Sequence, residues 1–127
     1  AFAPVLARNG GGGIVNVLSI LAIAATPVVG SYCASKFAAL ALTRCLAAEL
    51  AGQGTRVLAA IPATIDTDMA AGYPGPKDAP DFVAKTALEA LAAGRAEVHI
   101  GPLSNEVYAQ FRTDPEGLAR ERALMLP

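Results

Sequence analysis

The sequence predicts an α/β fold built on a parallel sheet, and three observations carry that expectation. Two short apolar runs, Ile14–Leu18 and Arg56–Ile61, are bounded by turn residues and read as strands covered on both faces. A long stretch of small and apolar helix formers, Tyr32–Ala51, separates them. Strand, helix and strand in that order make a right-handed crossover with the two strands parallel. Polar residues then gather after each strand, at Ser19 and across Pro62–Met69, on the edge where open α/β sheets hold their ligands.

The elements follow in order. Phe2–Arg8 reads as the last turns of a helix, stopped by Asn9 and the four glycines Gly10–Gly13. A glycine run can cradle phosphate, but a dinucleotide cradle follows a strand and opens a helix. This one follows a helix and opens a strand, so it is read as a turn. Helix Tyr32–Ala51 is expected to end at Gly52 and Gly54. Its alanine-rich face allows close helix approach, so it is expected to pack on the sheet and on another subunit of a homo-oligomer. Pro62 is expected to break the second strand. Gly72–Pro80, rich in glycine and proline, reads as the most mobile segment. A helix over Phe82–Ala93, a third strand over Ala96–Ile100, and helices through Asn105–Arg112 and Pro115–Met125 complete the chain.

Composition narrows the function classes. A chain of 127 residues, 54% of them hydrophobic, supports one modest domain with a core. A net charge of −1 gives no electrostatic basis for binding nucleic acid or an anionic membrane surface. The longest apolar stretch, Ile14–Val29, is interrupted by Asn16, Ser19 and Pro27 and is too short to span a bilayer. No basic segment followed by an apolar one marks a signal peptide, and the chain begins without methionine, as a processed chain or a fragment would. Cys33 and Cys45 lie on one helix roughly 18 Å apart, beyond disulfide reach. They are expected to be free thiols in a reducing, cytoplasmic compartment, with Cys33 packed rather than reactive. His99, the single histidine, lies in a predicted strand without a cluster of carboxylates or thiols, so it reads as structural and no metal site is expected.

The chemistry-bearing pattern is Tyr32 and Lys36, with Ser19 upstream. Residues four apart on a helix share a face, so the phenol and the ammonium can enter one cleft. A positive charge beside a phenol favours the phenolate, which suits proton transfer in carbonyl/alcohol redox chemistry. A serine hydrolase is the rival use of Ser19, but it needs a Gly-x-Ser-x-Gly elbow, and Leu18 and Ile20 flank this serine. Asp66 and Asp68 read as loop caps, and Arg120, Glu121 and Arg122 as a solvated helix face.

Four segments in order bring a family into view: Gly12-Gly-Ile-Val-Asn-Val-Leu-Ser19, Tyr32 with Lys36, the helix ending Leu46-Ala-Ala-Glu-Leu50, and Arg56-Val-Leu-Ala-Ala-Ile-Pro-Ala-Thr-Ile-Asp-Thr-Asp-Met69. The chain resembles the C-terminal half of a short-chain dehydrogenase/reductase. The resemblance implies a Rossmann-type doubly wound parallel sheet, of which residues 1–127 supply the C-terminal βαβ portion of one domain, without its N-terminal cofactor half. It implies hydride transfer between NAD or NADP and a small alcohol or carbonyl substrate. Tyr32 would be the acid/base, Lys36 would favour the phenolate and hold the nicotinamide ribose, and Ser19 would orient the substrate carbonyl. Pro62, Ile65 and Thr67 match the loop that lies along the nicotinamide, so cofactor contacts are expected from Tyr32, Lys36, Pro62, Ile65 and Thr67.

The departures are specific. Ala63 stands where the family usually has glycine, which costs on the order of 1 kcal/mol if the position needs positive φ. Leu18 replaces a serine often found beside the catalytic one. The chain after Ile100 lacks the Val-Asp-Gly-Gly tail of many members, so substrate class is not inherited from them. The family's glycine-rich cofactor turn, its Asn-Ala-Gly strand and its catalytic asparagine belong upstream of Ala1. The alternative reading is a truncated, non-catalytic remnant that serves only as a structural or oligomerisation module.

Overall fold

The computed structural model describes residues 1–125. Three parallel strands, β1 (Gly12–Val17), β2 (Thr55–Pro62) and β3 (Glu97–Ile100), form one sheet in the order β1-β2-β3. Helix α1 (Ala3–Arg8) precedes β1, α2 (Gly30–Leu50) crosses from β1 to β2, and α3 (Pro80–Ala92) crosses from β2 to β3. Helices α4 (Pro102–Thr113) and α5 (Pro115–Ala123) follow β3. The expected strand and helix order is therefore the observed one.

Strand β2 is the axis of the core because side chains alternate across a strand. Ala59 and Ile61 face a cluster with Leu18, Ile20, Ala22, Leu40 of α2, Val107 of α4 and Leu118 of α5. Leu58 and Ala60 face a second cluster with Val83, Ala87 and Ala90 of α3 and Val98 and Ile100 of β3. Helices thus cover both faces of the sheet, the doubly wound arrangement. The one polar side chain within β1 beyond its glycines is accounted for: Asn16 donates to Thr43 Oγ1 of α2 at 3.0 Å. Arg56 reaches across to the Leu91 and Ala92 carbonyls, at 3.4 and 3.0 Å, and caps the end of α3.

The glycine run is a turn only at Gly10 and Gly11; Gly12 and Gly13, expected to belong to the turn, already pair with β2 as the start of β1. Gly11 has φ +113° and lies so near the Gly54 backbone that a Cβ would collide with it. At Gly13 a Cβ would meet Leu91 Cδ2 at 2.6 Å, so the bare backbone is what lets α3 settle on β1.

Two expectations are corrected. β1 is not buried on both faces: Ile14, Val15 and Asn16 are half-buried and Val17 is 54% exposed, because β1 is an edge strand with no neighbour beyond it in these residues. Pro62 does not break β2 but ends it, pairing with Ile100, since a strand's last residue keeps its carbonyl and can spare its N–H. Within Gly72–Pro80, Asp78 donates its N–H to the Thr64 carbonyl at 2.8 Å and its carbonyl accepts from the Asp66 N–H at 2.9 Å. Both cysteines are free thiols, Cys33 buried and Cys45 exposed. Among the described residues no helix is long and apolar enough to cross a membrane.

Candidate active site

The carboxyl ends of β1 and β2 define the edge where the expected residues lie. Ser19 follows β1 and starts a 3-10 turn over Ile20–Ala22, whose apolar residues anchor it in the core. It is only 8% exposed. Its Oγ accepts from the Leu21 N–H at 3.1 Å, which leaves its own O–H to donate.

Tyr32 lies on the first turn of α2 and is 40% exposed. Lys36, one turn on, places Nζ over the Tyr32 ring, 5.5 Å from its centroid. The same ammonium donates to the Val17 carbonyl at 3.5 Å. Lys36 therefore bridges the phenol and the end of β1, two residues before Ser19. Cys33 secures the loop that leads into this turn: its Sγ accepts from the Thr26 N–H at 3.4 Å and approaches the Thr26 carbonyl at 3.8 Å. It is a packed thiol, as expected.

The residues after β2 divide by burial. Pro62 is fully buried, Ile65 packs on the α3-side cluster, and Thr67 is exposed with its Oγ1 donating to the Ile65 carbonyl at 3.4 Å. Ala63 packs beside the α2-side cluster and does not have positive φ, so alanine brings no backbone strain to a place where glycine was expected. Asp66 pairs with Lys77 at 3.5 Å, and Asp68 opens a 3-10 turn without a side-chain cap, so neither is the loop cap expected. Among the described residues no group of three or more His, Cys, Asp or Glu side chains is placed to hold a metal ion.

A cluster that the sequence did not announce lies behind this edge. His99, with a side chain 6% exposed, stacks on Tyr108 at 3.8 Å and approaches Glu97 Oε1 at 3.2 Å and Ser104 Oγ at 3.4 Å. Burial holds its imidazole below the ordinary range, opposed by the hydrogen bond and charge of Glu97. Glu97 in turn takes Arg44 of α2 at 2.9 Å. The only signal in the sequence was a lone histidine beside an acid.

Residues 1–76 match the family described as short chain dehydrogenase, well over half the chain. The chain belongs to the short-chain dehydrogenase family. A short chain dehydrogenase from Burkholderia cenocepacia, solved in complex with NADP, is 41% identical and superposes with TM-score 0.91 over 100% of this chain and 52% of its own. The fold is accordingly the Rossmann-type sheet of that family. An A-factor type gamma-butyrolactone 1'-reductase from Streptomyces virginiae is 44% identical over 71 residues, 56% of this chain and 28% of that protein. A 3-oxoacyl-[acyl-carrier-protein] reductase from Thermotoga maritima is 35% identical over 92 residues, 72% of this chain and 35% of that protein. The chain spans about half the length of the solved relative and about a third of the curated ones.

The residues present fit one end of a dinucleotide. Lys36 carries three N–H donors, of which the Val17 carbonyl at the end of the edge strand β1 uses one. The phosphates find no cradle in Gly11–Gly13, where the Gly54 backbone, Leu6 and Leu91 already occupy the space.

Proposed function

We propose that this chain is the catalytic half of an NAD- or NADP-dependent oxidoreductase that interconverts a small alcohol and its carbonyl. The observation that carries this reading is the bridge made by Lys36, from the Tyr32 ring to the Val17 carbonyl two residues before Ser19. Tyr32 gives its phenolic proton to the carbonyl oxygen in reduction and takes it back in oxidation. Ser19 donates its free O–H to the same oxygen and fixes the carbonyl in place. The ammonium of Lys36 stabilises negative charge as it develops there. A bound nicotinamide supplies or accepts the hydride. The remaining donors of Lys36 would hold its ribose hydroxyls, and Tyr32, Pro62, Ile65 and Thr67 would line the same end of the cofactor.

Helix α2 leaves Phe37 and Leu42 exposed among its alanines, apolar surface that suits a second copy of the chain. The free thiols suit a reducing compartment such as the cytoplasm. A purely structural module, the rival reading, gives no reason to keep a serine, a tyrosine and a lysine together at one strand end.

The test is Tyr32→Phe in the chain assembled with its cofactor half. It should lower kcat by about a hundredfold or more while NADP affinity holds within a few-fold. Normal turnover in that variant would remove Tyr32 from the chemistry.

A further inference from the structure

The start of α4 touches the end of β2, and Gly101 just before the helix touches the loop that follows β2. Ser104 has no exposed surface, and its Oγ donates to the Ile61 carbonyl at 2.6 Å, immediately before Pro62. The carboxylate of Asp78 lies against Gly101, which precedes α4, so closely that no Cβ fits there. Asp78 is also the residue whose backbone closes the loop, onto Thr64 and Asp66, at 2.8 and 2.9 Å. One helical turn therefore holds both the root of the loop and its return.

His99 adds a proton to this contact. The single O–H of Ser104 is committed to Ile61, so His99 Nδ1 can engage Ser104 only as a donor. A neutral ring that gives its Nε2–H to Glu97 turns the Nδ1 lone pair toward the oxygen of Ser104, consistent with their longer 3.4 Å separation. A protonated ring donates from both nitrogens, and a donor arriving at Ser104 polarises its O–H toward Ile61. The groups facing the ring are Glu97 on its own strand, Ser104 and Tyr108 on α4, Arg44 of α2 through Glu97, and Arg95.

We propose that Ser104 and Gly101 form a positioning clamp on the loop from Pro62 to Asp78, and that protonation of His99 is transmitted to that loop through Ser104. Its meaning for catalysis rests on the reading of Pro62–Thr67 as the nicotinamide-side loop; the clamp itself does not.

The chain holds one histidine, so its imidazole nitrogens give a single set of NMR signals. Titrating the unmodified, 15N-labelled chain should move the Asp66 and Asp78 amides with the same midpoint as His99. Ser104→Ala should abolish that shared midpoint and speed exchange of those two amides by about tenfold, because the Ile61 carbonyl loses its partner. The Leu18 amide, bonded to Ala60 one strand away, should change by less than about twofold. Loop amides that stay still while His99 titrates would overturn the proposal, as would exchange that rises equally at Leu18. If Ser104→Ala does not fold, the titration of the unmodified chain decides alone. Adding NADP to the chain assembled with its cofactor half separates the two readings: intact coupling without any NADP-induced shift in the loop sinks the cofactor role and leaves the clamp.

Discussion

Val28 has φ +72°, in the left-handed region, and is the one non-glycine residue among those described to adopt it. A β-branched side chain is costly there, about 1–2 kcal/mol. It is 78% exposed, so little packing offsets the cost. The strain lies four residues before Tyr32, in the loop that Cys33 ties to α2. Val28→Gly removes the steric clash but adds freedom to the unfolded chain, so the expected net gain is about 0.5–1 kcal/mol. A higher urea midpoint checks it, and a lower one would mean that the valine makes contacts worth more than the strain. Ala63 teaches the opposite lesson. The family pattern alone raised the prospect of a strained alanine, and only the backbone angles show an ordinary conformation. Tyr32, Lys36 and Ser19 could be proposed from the sequence because the chemistry proposed for them depends on residue type and local spacing. The packing of Lys36 onto Val17 was not, since it joins residues 19 apart in sequence.

At the scale of elements, β2 shows how a pattern read as uniformly apolar divides its side chains between two cores, with Ala59 and Ile61 to α2 and Leu58 and Ala60 to α3. β3 and α4 meet through His99, and that contact predicts a pH dependence. Burial depresses the imidazole below its ordinary 6.5. A base with a depressed folded pKa binds fewer protons folded than unfolded, so stability rises with pH between the two values. The contribution is fully present above 6.5 and is lost as the pH falls from there toward the lower folded value. The urea midpoint should therefore drop as the pH falls below 6.5, and His99→Gln should flatten that part of the slope. An unaltered slope in the variant assigns the titration to other groups.

For the molecule as a whole, the two sheet edges differ. β3 is four residues long and carries Glu97 and His99, features that discourage further pairing. β1 is six residues long, Gly-Gly-Ile-Val-Asn-Val, without a charge. Its half-exposed edge is a template for another strand. In the solved Burkholderia relative, nearly half the chain lies outside the matched portion. The isolated chain should accordingly self-associate, and Val17→Lys should reduce the association seen by light scattering. Unchanged association would place the contact elsewhere, with the apolar face of α2 next to be tested.

The order of strands and helices, the parallel crossover and the family were readable from the chain without its structure. Each of these is encoded in short-range periodicity or in motifs a few residues long. Tertiary structure alone decided that β1 is half-exposed, that Gly11 and Gly13 serve close approach, and that His99 joins Arg44, Glu97, Ser104 and the end of β2. Those depend on which elements become neighbours, and the bond from Ser104 to Ile61 spans 43 residues. Local pattern carries no information about a partner that far away.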